Sequence, residues 1–535
     1  MSVSKERSVA YFCMEYGLHE DFKIYSGGLG ILAGDFMKAA KDLEKPVVGI
    51  GMLWRQGYTS QTINANGAVV DSYPEHRYEF LKDTDVTVTV RIRGRQVKAK
   101  VWLCEEYGNA PLYLLDTNVP GNPDPFITGQ LYGWFSEERI AQEMILGIGG
   151  IKALQALGID IDVYHFNEGH AVFAGTELIK QDMEKNDVSF EDAIDRVKES
   201  IVFTTHTPVE AGNEKHEHEL LQYMGAYNSL TFGQMLKLGG EPFNMTVAAL
   251  RMAKISNAVA QLHGQTANIM WDGVSNISEI VAITNGVHNK TWQDEGIFNA
   301  YSANKDLEAP HKEAKTKLFD EVYTRTGIRL DENVLTIGFA RRAAPYKRSE
   351  LIFRNKETIE KLLKEKKLQL IFSGKAHPND LTGKGIVTNL YKMAQKYEGS
   401  VVFLQDYDMK IGRLVTRGCD VWLNNPIRPM EASGTSGMKA AMNGVLNLST
   451  LDGWWPEGCH HGVTGWQFGD GYVGKDQDDV DLKALYKVLL EEVVPTFYED
   501  RQKWNEMMYS SIKMSTNKFS ASRMLEEYYQ LLYNV

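Results

Sequence analysis

Short apolar runs that end in polar corners recur along this chain, and the series starts twice. The first begins with a strand at Ser8–Met14. A tight loop at Gly27, Gly28 and Gly30 follows, then an amphipathic helix at Ile31–Leu43 and a buried strand at Pro46–Met52. Strand, glycine loop, helix and strand in that order make the nucleotide-fold unit, although the glycines do not complete a GxGxxG fingerprint and a structural turn explains them equally well. Further strands are predicted at Asp162–Phe166, Ile201–Thr205 and Ile280–Thr284, each ending in a corner that carries Asn, His or Glu. A hairpin is predicted around Gly94 within Val86–Val101, and a long helix over Glu137–Leu157. The second series runs Val334–Ala340, Leu368–Ala376, Ser400–Tyr407, Cys419–Leu423 and Val445–Leu448.

Strands that alternate with helices and are apolar throughout belong to parallel sheets covered on both faces. Two such series predict an α/β chain of two doubly wound, Rossmann-like domains. The length of 535 residues agrees, being well beyond a single core. The expected division is an N-terminal domain at 1–287 with a β-hairpin insertion, a C-terminal domain at 288–505, and a helical segment at 506–535 packing back across the junction. In that segment Met524, Tyr528 and Leu531 fall on one face, with Phe519 nearby.

Ligands of parallel sheets bind at the carboxyl ends of strands, which directs attention to the corners. Arg341, Arg342, Lys347 and Arg348 crowd one of them. A charge run is commonly a solvated face. Yet this one follows a buried strand in a chain of net charge −12, where a positive pocket suits a phosphate-like anion. The same net charge disfavours nucleic acid or an anionic membrane as a partner. Glu431–Asn443, EASGTSGMKAAMN, leads small residues into a helix read as beginning at Lys439. That is either a plain N-cap or an anion site with a lysine at hand as countercharge or amine nucleophile.

No metal is expected. His165 with His170, and His216 with His218, lack a strong zinc spacing, and none of the four cysteines forms a CxxC pair. The start, MSVSKERSVAYF, has no apolar signal core, and no run of about 18 apolar residues occurs, so a cytoplasmic location is expected.

Taken together, YFCMEYGLHEDFKIYSGGLGILAGD, FTTHTP, ITNGVH, RRAAPYKR and EASGTSGMKAAMNGVLNLSTLDG resemble the α-glucan phosphorylases, the glycogen, starch and maltodextrin phosphorylase family, in its short bacterial and archaeal branch. The resemblance covers most of the chain in the family's order. It implies the GT-B arrangement of retaining glycosyltransferases, two Rossmann-like domains facing across a cleft. It implies pyridoxal 5′-phosphate on Lys439, and reversible phosphorolysis of a terminal α-1,4-linked glucose of glycogen or maltodextrin by inorganic phosphate, giving glucose 1-phosphate. On the matching positions, Arg342 and Lys347 would hold substrate phosphate, and Gly28, with Gly27 beside it, would turn an N–H toward the phosphates. Arg341, Thr435 and Ser436 would lie at the cofactor phosphate, and Tyr407 and Trp292 would border the cofactor. His206, Asn285, Glu431, Ser433 and Gly434 would hydrogen-bond the glucosyl hydroxyls, the His206 carbonyl would face the transfer site, and Tyr346 would sit near the 2-hydroxyl. The chain departs from the long members at Gly17, Ala343–Pro345, Asp408 and Ser436–Gly437. Two rival readings are a sugar-nucleotide-dependent glucan synthase, which needs no lysine-bound aldehyde, and a degenerate carbohydrate-binding protein, which has no use for the Lys and Arg cluster. The family's frequent homodimer is left open by the sequence.

Overall fold

Apolar runs such as VAYF (Val9–Phe12), IVFT (Ile201–Thr204) and TIGFA (Thr336–Ala340) are buried at every position, the mark of strands covered on both faces. The computed structural model describes residues 6–133 and 135–535, so the first five residues of the stretch read for a signal core lie outside it. The chain divides into two compact units. The first holds Met1–Tyr58, Tyr73–Thr284 and Met524–Val535; the second holds Thr59–Ser72 and Asn285–Arg523.

The sheet of the first unit has nine strands. Across it lie Glu279–Ala282, Ile255–Ala258, Ile201–Thr204, Val163–Asn167, Val9–Phe12, Val47–Met52, Leu112–Asp116, Arg95–Cys104 and Lys82–Ile92. Neighbours pair in parallel except at Arg95–Cys104, which is antiparallel to both of its neighbours; with Lys82–Ile92 it forms the hairpin expected around Gly94 at one edge of this sheet. The chain grows outward from Val9–Phe12 in one direction, then returns to place Val163–Asn167 on its other side. That reversal is the topological switch point, where parallel α/β sheets bind ligands.

The main sheet of the second unit has six parallel strands in the order Val401–Leu404, Gln369–Ser373, Thr336–Ala340, Val421–Asn424, Leu446–Thr450 and Gly465–Phe468. Numbered along the chain this is 3-2-1-4-5-6, the doubly wound order of a Rossmann unit. Its switch point falls between Thr336–Ala340 and Val421–Asn424. The sixth strand, GWQF, escaped the sequence reading because only four residues follow the turn-rich HHGVT stretch. A hairpin, Ser60–Ile63 with Val69–Ser72, also belongs to this unit. It has no apolar periodicity to reveal it. Polar bonds hold it: Ser60 Oγ donates to Asp406 Oδ2 at 2.9 Å, Gln61 N to Asp406 Oδ1 at 3.0 Å, and Ile63 N to Gln405 Oε1 at 2.8 Å.

The C-terminal residues, read as one helical segment, are two helices divided between the units. Arg501–Lys518 belongs to the second, where Ser515 Oγ donates to Met438 O at 2.7 Å. Met524–Val535 belongs to the first, with Tyr533 Oη 2.6 Å from His165 Nδ1. Met524 and Tyr528 are buried as expected, but Leu531 is exposed and Leu532 takes the inner position. The helix widens to a π turn at Tyr529–Tyr533, which shifts the register of the buried face. Among the described residues no helix is long and apolar enough to cross a membrane.

Candidate active site

In the second unit, each of the two strands that flank the switch point ends in a polar side chain. Arg341 follows Ala340, and Asn424 closes Val421–Asn424; an Arg341 Nη1 donor meets Asn424 Oδ1. The other arm of the guanidinium donates to Glu431 Oε2 at 2.6 Å, and Lys347 Nζ reaches the same oxygen at 2.9 Å. All three charged groups are buried. Burial alone would raise the Glu431 carboxyl, but Arg341 and then Lys347 hold it at about 2. Two buried cations therefore face one carboxylate, and the surplus charge is positive. That is the electrostatic condition for binding an anion.

The cluster is not the one the sequence suggested in every member. Arg342, expected to hold phosphate, is exposed at the same corner. Arg348 is buried but committed elsewhere, with Nη2 2.6 Å from Asp481 Oδ2 and Nε donating to Asn425 O at 2.8 Å. Glu431, expected only as a sugar ligand, is the shared counter-ion of Arg341 and Lys347. Tyr346 underlies Lys347, whose Nζ is 4.7 Å from the ring centroid. Tyr407 adjoins this charge as well: burial, then Asp408, pushes its hydroxyl up to about 12, and Arg341 draws it down. Asp408 caps the helix Met409–Gly418 by accepting from Ile411 N at 2.9 Å.

Glu431 opens the segment that ends at Lys439. The helix there spans Ser436–Ala441, so it begins three residues before the lysine rather than at it. Thr435 is its N-cap, and Thr435 and Ser436 are partly exposed. Lys439 is buried, with Nζ 3.7 Å from the centroid of the buried Trp292 ring. A buried amine held against an indole, one turn from small and hydroxylated residues, fits a cofactor that offers an aldehyde to the amine and an anion to the turn. Gly434 has φ of +72°, and a Cβ there would come within 3.3 Å of Arg341 Nη2, so glycine meets both the backbone and the guanidinium. Ser433 Oγ and Asn285 Oδ1 are buried and have no hydrogen-bond partner among the described residues. Buried polar atoms are rarely left so, and both belong to the set expected to bind sugar hydroxyls.

The switch point of the first unit is built from carboxylate and amide groups. Glu15, three residues beyond Phe12, accepts from Gly27 N at 3.1 Å and Ser26 Oγ at 3.0 Å, and from the Tyr132 hydroxyl. It thereby fixes the loop that opens the helix Gly28–Asp42. A Cβ on Gly27 or Gly28 would meet nothing within 4 Å, so packing does not demand these glycines and the backbone is approachable. On the neighbouring strand Asn167 Oδ1 accepts from His206 Nε2 at 2.6 Å, and Glu168 Oε2 accepts from His206 N at 2.9 Å. Burial, reinforced by His263 and His170, pushes the His206 ring down to about 3, so it is neutral at any physiological pH. Glu168 adopts φ of +74°, a strained state for a side chain with a Cβ and one that clusters at functional sites. Glu15, Asn167, Glu168 and Asn424 were not singled out as site residues. Their signal was positional, each lying within three residues of the end of a switch-point strand.

The first unit also gathers Glu143, Glu214 and His216, whose ligand atoms lie within 4.8 Å of one another. His218, two residues from His216, faces Tyr227 and the Gly240 carbonyl instead. Arg139 is part of this group: its Nε donates to Glu214 Oε1 at 2.9 Å and lies 3.6 Å from Glu143. Burial, then the Glu214 charge, raises the Glu143 carboxyl. The guanidinium supplies the positive charge that a cation would bring.

A profile of the carbohydrate phosphorylase family matches residues 293–456, a span that holds Arg341, Lys347, Glu431 and Lys439. The chain is similar to a maltodextrin phosphorylase of Thermococcus litoralis, 39% identical over 99% of this chain and 71% of the relative. A glycogen phosphorylase of Aquifex aeolicus is 35% identical over 99% and 86% of the two chains, and an uncharacterized protein of Methanocaldococcus jannaschii is 36% identical over 98% and 100%. Fold, site and relatives define a glycosyltransferase with the Rossmann-like units of the GT-B class. The chain belongs to the carbohydrate phosphorylase family.

Proposed function

We propose that the protein is a retaining α-1,4-glucan phosphorylase that uses pyridoxal 5′-phosphate. It removes the terminal glucose of a glycogen or maltodextrin chain with inorganic phosphate, reversibly, and releases glucose 1-phosphate. The observation that carries this reading is the convergence of Arg341 and Lys347 on Glu431 at the switch point, in a segment that continues to the buried Lys439. The substrate class comes from the names of the relatives, a maltodextrin phosphorylase and a glycogen phosphorylase. Four unpaired thiols, Cys13, Cys104, Cys419 and Cys459, support a cytoplasmic setting.

In this reading Lys439 holds the cofactor covalently, with Trp292 and Tyr407 along its sides and Arg341, Thr435 and Ser436 at its phosphate. When bound, the cofactor supplies a phosphate that exchanges a proton with substrate phosphate. Lys347 and Arg342 of the second unit hold substrate phosphate; in the first unit Gly28, with Gly27 beside it, presents a backbone N–H suited to a phosphate. The surplus positive charge around Glu431 lets two phosphate groups come close without mutual repulsion deciding the energy. Ser433, Gly434, Asn285, Glu431 and Tyr346 take the glucosyl hydroxyls. His206 joins them as a neutral hydrogen-bonding ring, and its carbonyl faces the transfer site. A ring with its pKa near 3 is unsuited to general acid catalysis at neutral pH.

The test is incubation of the purified protein with maltodextrins and inorganic phosphate, with glucose 1-phosphate as the readout. Wild type should form it only when phosphate is present. Lys439→Ala should lose both this activity and the cofactor's visible absorption. Full activity in that variant, or turnover independent of phosphate, would sink the proposal.

A further inference from the structure

The turn Asp452–Trp454 follows the strand Leu446–Thr450 and grips the segment Glu431–Gly434 at successive points. Asp452 Oδ2 accepts from Glu431 N at 2.9 Å, while its Oδ1 accepts from Gly453 N at 2.8 Å. Trp454 N donates to Ser433 O at 3.0 Å. Between these bonds Gly453 has φ of +58°, and a Cβ on it would lie 2.1 Å from Ser433 O. Only glycine allows the turn to lie so close. Asp452 is fully buried, and each of its carboxyl oxygens accepts a backbone N–H.

We propose that Asp452 is a positioning residue for sugar recognition: with Gly453 and Trp454 it fixes the backbone from Glu431 to Gly434, the strip on which a glucosyl group is bound. The inference rests on the phosphorylase reading above. Two features of the strip give the clamp its purpose. Glu431 is held at its side chain by Arg341 and Lys347 and at its backbone by Asp452, so both ends of the residue are restrained. Ser433 is fixed through its carbonyl, while its buried Oγ has no partner among the described residues. A hydroxyl offered in this way is useful only if the main chain behind it does not shift. A misplacement of the order of 1 Å in such a group is enough to weaken a bound ligand strongly.

Asp452→Asn replaces one acceptor by an N–H₂ group, which then opposes the N–H of Glu431 or of Gly453. Gly453→Ala pushes the turn away from Ser433 O by a different route. Steady-state kinetics with glucose 1-phosphate and maltodextrin, and with phosphate and maltodextrin, separate the outcomes. For both variants we expect KM for glucose 1-phosphate to rise about tenfold, the cost of one impaired polar contact, with KM for inorganic phosphate unchanged. Calorimetric titration of glucose 1-phosphate without acceptor should weaken by the same factor. Unchanged KM values in a folded variant would overturn the inference. Equal rises in both KM values together with a lowered Tm would also overturn it, because that is a general structural defect. If Asp452→Asn does not fold, the Gly453→Ala result decides. A wild type that forms no glucose 1-phosphate fails the phosphorylase reading first, and the inference falls with it.

Discussion

The two switch points share a topology and differ in chemistry. Each lies where the chain, after winding one way from a first strand, returns to that strand's other side. In the first unit the flanking strands end toward Glu15 and toward Asn167 and Glu168, which spend their acceptors on the glycine loop and on His206. In the second they end in Arg341 and Asn424, and the bonds there gather two cations on Glu431. The first arrangement spends its carboxylate and amide acceptors within the protein and so frames the glycine loop and His206. The second leaves a positive surplus, and so can receive an anion. Topology therefore sets where a site is built, and the residues at strand ends set what it does. Inside the first unit Glu143 and Glu214 likewise gather around the guanidinium of Arg139.

The strongest way to break this comparison is to remove the charge surplus. Arg341→Met leaves Glu431 with Lys347 alone and Asn424 Oδ1 without its donor. Breaking a buried pair in this way costs about 3–5 kcal/mol of stability. Loss of a charge aimed at developing negative charge should also cut kcat by about 10²–10³-fold. Urea unfolding measures the first effect, and glucose 1-phosphate formation at saturating phosphate the second. A variant that keeps wild-type kcat would show that the surplus charge has no part in turnover.

The sequence carried most of the fold, because buried parallel strands are near-continuous apolar runs. VAYF, IVFT, TIGFA and LQLIFS stand out without any partner being known. GWQF and the 60–72 hairpin did not stand out: one is short and follows a turn, and the other is held by Asp406 and Gln405 rather than by apolar spacing. Leu531 was misjudged because a π turn changes the helical period, which a regular 3.6-residue pattern cannot anticipate. At the candidate site the sequence pointed to the right segments but not to the pairing within them. RRAAPYKR shows four positive charges, yet nothing in it says that Arg341 and Lys347 turn inward to one carboxylate, that Arg348 joins Asp481, or that Arg342 stays exposed. That information lies in which residues meet across the sheet, and Glu431 is 84 residues from Lys347.

A smaller effect tests the frame. Asn167→Leu removes the acceptor of His206 Nε2 and leaves the backbone N–H of His206 bonded to Glu168. The lost bond corresponds to about 1–1.5 kcal/mol, or roughly tenfold in the contact that His206 makes. KM for maltodextrin should rise by about that factor while KM for phosphate stays constant. If KM for phosphate rises instead, Asn167 serves the anion, and the division between frame and charged site is wrong.

The smallest effect compares the two switch points by acid. The His206 pKa lies near 3, below the ordinary value of 6.5, because the buried ring resists charge. The unfolded chain therefore takes up the proton first, and His206 makes stability fall as pH drops from 6.5 toward 3. Glu431 is also lowered, to about 2 from an ordinary 4.5, so its contribution is intact above pH 4.5 and is lost only below it. Between pH 7 and 5.5 the contribution of His206 should thus respond, while that of the Glu431 carboxyl itself should not. His206→Gln keeps a donor for Asn167 and cannot be protonated. Its stability deficit relative to wild type, read from urea unfolding, should shrink by about 1 kcal/mol on going from pH 7 to 5.5. A constant deficit for His206→Gln would mean that the ring is accessible enough to protonate in the folded protein, and the first switch point would then be a titrating site rather than a frame.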